Sequence, residues 1–293
     1  MTVGLLVYLI VPVNVAILMT AVGLNLRLRS VQDVLKHPRS LFVSTILQLI
    51  LLPAAALILV WLLEPPALIA LVILAIAISP GGALSNSFTH LIGGNLALSV
   101  VMTTLTTMLV SASAPVVLKI ALTVGLLDLE VAAKLDPLTI TWDLARFALL
   151  PIFAGILCSH FLPNLASRLN RAMDVLSILA IAVVLAGCVK VSLPVIQQAA
   201  ASTLIYAGTF SLASLGIGAA VGRLLPSEDR SACFIEFGMR NLSIALILAS
   251  GSTPSAEIVA FLLGYFAVNT AILFGLTLIK RIPRIASRPD REG

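Results

Sequence analysis

The sequence predicts an all-α polytopic membrane protein of nine transmembrane helices, folded as an inverted repeat with two discontinuous helices. Three observations predict it. Of 293 residues, 60% are hydrophobic and 11% charged, with mean hydropathy +1.13; a soluble domain is about 45–50% apolar and ~25% charged. The apolar residues fall into nine runs, each near the ~20 residues a membrane helix needs. Two of those runs are broken by polar, glycine-containing sequence at matched positions.

Span one covers 5–26 and passes straight into Arg27 and Arg29 with no basic start before it, so it is expected to be its own uncleaved anchor. Span two, 41–63, carries Gln48 in otherwise apolar sequence. Span three, 67–91, contains Ser79-Pro80-Gly81-Gly82-Ala83-Leu84-Ser85-Asn86. Proline lacks an amide proton and glycine weakens a helix, so a break is expected there. Span four, 96–122, opens with Ser99 and Thr103, four residues apart and therefore on one face. Spans five, six and seven are 144–162, 174–193 and 203–222. Span eight, 232–250, is interrupted from Glu236 through Asn241, with Gly238 at the centre. Span nine, 256–279, leads into a basic tail, 280–293.

The interrupted spans are five apart, and an odd offset makes corresponding helices run in opposite directions. Spans one to four match spans six to nine, and span five has no partner. The chain reads as one transmembrane domain, with repeat one at about 5–122 and repeat two within about 144–279. Backbone freed at a break cannot be satisfied by lipid and needs protein, water or a ligand. Paired discontinuous helices near the midplane are therefore the sequence pointer to a transporter's binding site.

Charge sets the orientation. Arg27, Arg29, Lys36, Arg39, Arg168, Arg171, Arg223, Arg230 and the tail fall on one side of nine alternating spans. Glu64, Asp128, Glu130, Asp136, Asp143 and Glu257 fall on the other, with few cations (Lys134, Arg146, Lys119 and Lys190). The excess of Lys and Arg places the N-terminus outside and the C-terminus in the cytoplasm. Trp61 and Trp142 lie at outer span ends, where indole rings favour the interface. The net charge of +5 is read as cationic loops on a membrane protein, with the lipid bilayer as partner and no nucleic acid. Cys158, Cys188 and Cys233 share no CxxC spacing and read as packing residues. His37, His90 and His160 lie at or near span ends and read as interfacial; no serine–histidine–acid spacing appears, so an enzyme is not expected.

Glu236 and Arg240 stand one helical turn apart inside span eight. A charge in hydrocarbon costs roughly 2.5–3.5 kcal/mol even on lenient scales, so function is sought here. Ser85, Asn86, Ser99, Thr103 and Glu236 make an all-oxygen set with one negative charge. That suits a hard monovalent cation such as sodium, whereas softer metals favour sulfur or imidazole. Gln48 can supply a further oxygen.

These residues carry a resemblance. Gly23-Leu24-Asn25-Leu26, Gln48 through Pro53, Ser79-Pro80-Gly81-Gly82 through Asn86, Gly94-Asn95-Leu96-Ala97-Leu98-Ser99 to Thr103, and Glu236-Phe237-Gly238-Met239-Arg240-Asn241 are similar, in order and spacing, to the bile acid:sodium symporter family. The resemblance covers nearly the whole chain and is to bacterial members in particular. It implies a core domain with two crossed, broken helices and a panel domain that rocks against it. It implies sodium-coupled symport of a small organic anion by alternating access, in a bacterial inner membrane, with no cofactor beyond the coupling ion. One sodium is implied at Ser85, Asn86, Ser99, Thr103 and Glu236, and a second at Gln48, Glu236, Phe237, Met239 and Arg240. Substrate is expected beside the breaks, where helix N-termini present amide protons, with Ala83, Asn241 and Asn269 as contacts.

The sequence departs from the family at Arg240, where glutamine is usual. A guanidinium has donors only and cannot coordinate a cation, so the second site is altered. Three readings of Arg240 stay open: a tethered charge in place of the second sodium, a contact for an anionic substrate, or a side chain reaching to the cytoplasmic face. A sodium-independent or proton-coupled transporter of the same fold, and a non-transporting receptor, are the alternatives to symport.

Overall fold

The computed structural model describes residues 9–26, 28–36, 38–127, 136–250 and 255–286. Arg27, His37, Asp128, Glu130, Lys134 and the end of the basic tail therefore lie outside the described residues. All regular structure among those described is helical. In chain order the helices are α1 (Val11–Asn25), α2 (Leu28–Lys36), α3 (Pro38–Leu63), α4 (Ala67–Ile78), α5 (Ala83–Leu91), α6 (Leu96–Thr123) and α7 (Pro137–Leu144). A π-helical turn, Ala145–Leu149, joins α7 to α8 (Leu150–Phe161). Then come α9 (Pro163–Gly222), α10 (Arg230–Gly238), α11 (Leu242–Ser250) and α12 (Ala256–Ala286).

Six stretches are long and apolar enough to cross a bilayer: Pro38–Leu63, Leu96–Thr123, Leu138–Phe161, Leu204–Gly222, Arg230–Ser250 and Ala256–Gly275. The pair α4 and α5, bent by 60° at its break, makes a seventh. Nine were expected. Span one begins before the described residues, and α1 alone has 15 residues. Spans six and seven are not separated: α9 is one helix of 60 residues. The stretch 195–203 between them is rich in Gln and Ala and holds no glycine, so Pro194 is the one strong breaker on offer. At ~1.5 Å per residue α9 is about 90 Å long, far beyond the ~30 Å hydrocarbon core.

The broken helices occupy the centre. Helix α4 is apolar all round, as a fully enclosed helix must be, and Ala70 through Ile78 are buried. It packs on α3, α6, α11 and α12, while α10 packs on α3, α5, α6 and α9. Helices α1 and α8 meet through two glycines: a Cβ on Gly23 would overlap the Ile152 carbonyl, and one on Gly155 would overlap that of Thr20. Small residues let membrane helices approach this closely. At the far rim, Asp136 caps α7 by accepting from the amides of Leu138 (3.3 Å) and Thr139 (3.0 Å). The Thr139 hydroxyl and amide hold this carboxyl below the usual carboxylate range. Trp61 and Trp142 are exposed, as are His90, His160, Lys119 and Lys190; Cys233 is buried.

Candidate functional site at the helix breaks

Helix α4 stops where Pro80 pushes Ser79 into an extended conformation (φ −57°, ψ 146°). The chain passes through Gly81 and Gly82, and α5 restarts at Ala83. The second break differs slightly from expectation. Helix α10 runs through Gly238, and the interruption is Met239–Asn241, with Met239 extended (φ −89°, ψ 100°). Asn241 then caps α11, its Oδ1 accepting from the Ile244 amide at 3.1 Å. The breaks touch: the Asn241 amide donates to the Pro80 carbonyl at 2.8 Å. The approach is closest at Gly81 and looser at Gly82. A Cβ on Gly81 would overlap the Glu236 carboxylate, and one on Gly82 would lie 3.3 Å from Asn241 Nδ2.

This crossing gathers the five residues of the expected first ion site. Glu236 is fully buried, with 0% exposure. Its Oε1 accepts from Ser85 Oγ (2.6 Å), Ser99 Oγ (2.7 Å) and Thr103 Oγ1 (3.1 Å), and Oε2 lies 3.2 Å from Thr103 Oγ1. Asn86 Oδ1 is 2.8 Å from Ser99 Oγ and 3.4 Å from Thr103 Oγ1. Ser99 has one proton for two acceptors, so it donates either to the carboxylate or to Asn86 Oδ1. Helix periodicity puts Ser99 and Thr103 on the same face of α6, and the bend after α4 turns Ser85 toward them.

The residues of the second expected ion site are also adjacent, in a different arrangement. Gln48 Nε2 donates to the Glu236 carbonyl at 2.7 Å. Arg240 Nη1 donates to the same oxygen at 3.0 Å, and Nη2 to the carbonyls of Ser79 and Ala77. The ion pairs among the described residues are Lys36–Asp33 and Arg146–Asp143, so Arg240 meets Glu236 through its backbone oxygen rather than its carboxylate. The reading in which Arg240 reaches the cytoplasmic face does not hold: the residue is 7% exposed and tied to both breaks. Phe237 packs against Gly218 of α9, and Met239 joins a small cluster with Leu215, Ile235 and Leu273.

A cavity opens beside the crossing, lined on its polar side by Asn14, Ser85, Arg240, Asn241 and Ser243, with Ala83 at the start of α5. Two of the three expected substrate contacts, Ala83 and Asn241, therefore line it. Asn269 does not. It sits behind the break on α12, donating to the Gly238 carbonyl at 2.8 Å beside Tyr265, whose hydroxyl donates at 3.0 Å. The last carbonyls of α10 lack helical partners, and these side chains supply them. Asn14 and Ser243, hydrogen-bonded at 3.1 Å, line the cavity as well; an amide within the apolar run 11–24 is the available signal.

No group of three or more His, Cys, Asp or Glu side chains gathers as a metal site among the described residues. Broken helices that cross beside a cavity are where membrane transporters with discontinuous spans carry their binding sites. The sodium bile acid symporter family matches residues 5–202, and the chain belongs to that family. Glu236 through Asn241 lie beyond the matched stretch.

Among curated relatives, the uncharacterized sodium-dependent transporter YocS of Bacillus subtilis is 26% identical over 82% of this chain and 73% of its own. The probable chloroplastic sodium/metabolite cotransporter BASS1 of Arabidopsis thaliana is 26% identical over 81% of this chain and 58% of its own. The P3 protein of Bos taurus is 23% identical over 83% of this chain and 50% of its own. The chain thus spans little more than half the length of the plant protein.

Proposed function

We propose that this protein is a sodium-coupled symporter of a small organic anion, bile acid-like or a carboxylate metabolite, working by alternating access. The observation that carries the reading is the Glu236 carboxylate: fully buried, contacted by three hydroxyls and near the Asn86 amide oxygen, with no cationic side chain on it. Burying a carboxylate with no cation in contact is costly. A sodium ion among Ser85, Asn86, Ser99, Thr103 and Glu236 removes that cost, because each hydroxyl can turn its proton away and offer a lone pair. The anion occupies the cavity at Ala83 and Asn241, facing the N-termini of α5 and α11, where amide protons and the positive dipole end favour it. Ion and substrate then share one crossing, so occupancy by one strengthens the other.

In this reading the chain carries nine helices as an inverted repeat, about 5–122 and 144–279, with panel and core domains. The N-terminus is outside and the tail 280–293 lies in the cytoplasm of a bacterial inner membrane. Uptake of a labelled bile acid and of a labelled short hydroxycarboxylate into proteoliposomes tests the proposal. An inward sodium gradient should stimulate flux, and Glu236→Gln should abolish the stimulation. Flux that is indifferent to sodium would instead favour an uncoupled or proton-coupled carrier of the same fold.

A further inference from the structure

We infer that Arg240 is a resident cation, filling a cage of helix-end carbonyls that would otherwise hold a second mobile cation, so the protein binds one sodium per chain. The inference rests on the sodium reading of Glu236 for that total, but what Arg240 does at the cage stands on separate contacts.

Two helices end at this point with their carbonyls converging. At the end of α4, the Ala75 carbonyl is taken by the Ser79 amide (3.0 Å) and that of Ile76 by Ser79 Oγ (2.8 Å). Ala77 and Ser79 are left to Arg240 Nη2. At the end of α10, the Ile235 carbonyl is taken by the Met239 amide (2.7 Å), and that of Gly238 by Tyr265 and Asn269. Glu236 O is left to Gln48 and Arg240. Each helix C-terminus carries roughly half a negative elementary charge, so two meeting ends attract a cation. Arginine keeps its charge at any physiological pH and presents donors in a fixed fork. Spread over three carbonyls of two elements, its fork is held where the two helix ends meet.

A second observation marks the cage as cation-seeking. Gln48 is 0% exposed, and with Nε2 on Glu236 O its Oε1 has no partner. An oxygen left bare at this depth is a ready cation ligand. Replacing Arg240 with glutamine would remove the tethered charge, take its donors from the carbonyls of Ala77, Ser79 and Glu236, and supply an amide oxygen able to face a cation.

One mobile sodium moving with one monovalent anion carries no net charge. Accumulation should then ignore membrane potential, and a tenfold sodium gradient should sustain at most about tenfold accumulation.

Equilibrium binding of radioactive sodium to the purified, detergent-solubilised full chain tests this without knowledge of the substrate. Wild type should bind one ion, Arg240→Gln one more than wild type, and Arg240→Lys the same number as wild type. In Arg240→Ala, guanidinium ion should displace the extra sodium, a response that a merely structural arginine would not confer. Two ions on wild type, an unchanged count in a folded Arg240→Gln, or an extra ion in Arg240→Lys would each overturn the inference. If Arg240→Gln does not fold, the wild-type count and the guanidinium competition decide. Failure of the Glu236 reading looks different: Glu236→Gln would leave the count unchanged, while the difference between Arg240→Gln and wild type would persist.

Discussion

The Asn241 amide donates to the Pro80 carbonyl at 2.8 Å, fastening the break after α10 to the break after α4. This link sorts the helix ends by sign. The C-terminal ends of α4 and α10 converge on Arg240. The starts of α5 and α11, at Ala83 and Leu242, line the cavity beside Ser85 and Asn241. A cation and an anion are therefore each offered the helix end of opposite charge.

Asn241 should matter for stability as well as binding. Asn241→Ala removes the cap on the Ile244 amide and should destabilise the protein by about 1 kcal/mol. The midpoint of a thermal melt in detergent should fall, and Asn241→Asp, which keeps the acceptor, should restore most of it. An unchanged midpoint in the alanine variant would show that the cap contributes nothing.

Gly81→Ala places a methyl group where the Glu236 carboxylate lies, at a position whose backbone is not in the left-handed region. The cost is steric and falls on the ion site. Apparent sodium affinity, read from sodium-dependent melting, should drop at least about tenfold, equivalent to ~1.4 kcal/mol. Gly82→Ala, whose nearest neighbour is a side-chain atom at 3.3 Å, should be milder.

Ser99 touches both Asn86 and Glu236, at 2.8 and 2.7 Å. With sodium bound, each hydroxyl offers the ion a lone pair, so Ser99→Ala removes one ligand and should weaken sodium binding by on the order of tenfold, ~1.4 kcal/mol. Thr103→Val, which keeps the shape, should act in the same direction; equal sodium titrations in both variants and wild type would remove the two hydroxyls from the site.

Much of this site could be read from the chain because its signals are local. Pro80 with Gly81 and Gly82 marks a break in any helix, and Ser99 with Thr103 marks a face of α6 by spacing alone. Glu236 stood out because a carboxylate is costly in apolar sequence. The partners of Arg240 were hidden, since backbone carbonyls exist at every residue and only the fold leaves those of Ala77 and Ser79 free. Asn269 misled for the same reason: a buried amide looks alike whether it meets a ligand or the Gly238 carbonyl. The π-helical turn at Ala145–Leu149, where the Leu150 amide bonds to the Ala145 carbonyl, left no mark beyond Pro151.

The central claim is that sodium binds at Glu236. The most direct measurement is the melting temperature of the purified protein as sodium replaces choline at constant ionic strength. Binding to the folded state alone adds about 2.7 kcal/mol of stability at a hundred times the dissociation constant. Wild type should therefore melt at rising temperature with sodium, while Glu236→Gln should give a flat line. A wild type indifferent to the exchange, or a Glu236→Gln variant that responds as wild type does, would contradict the claim.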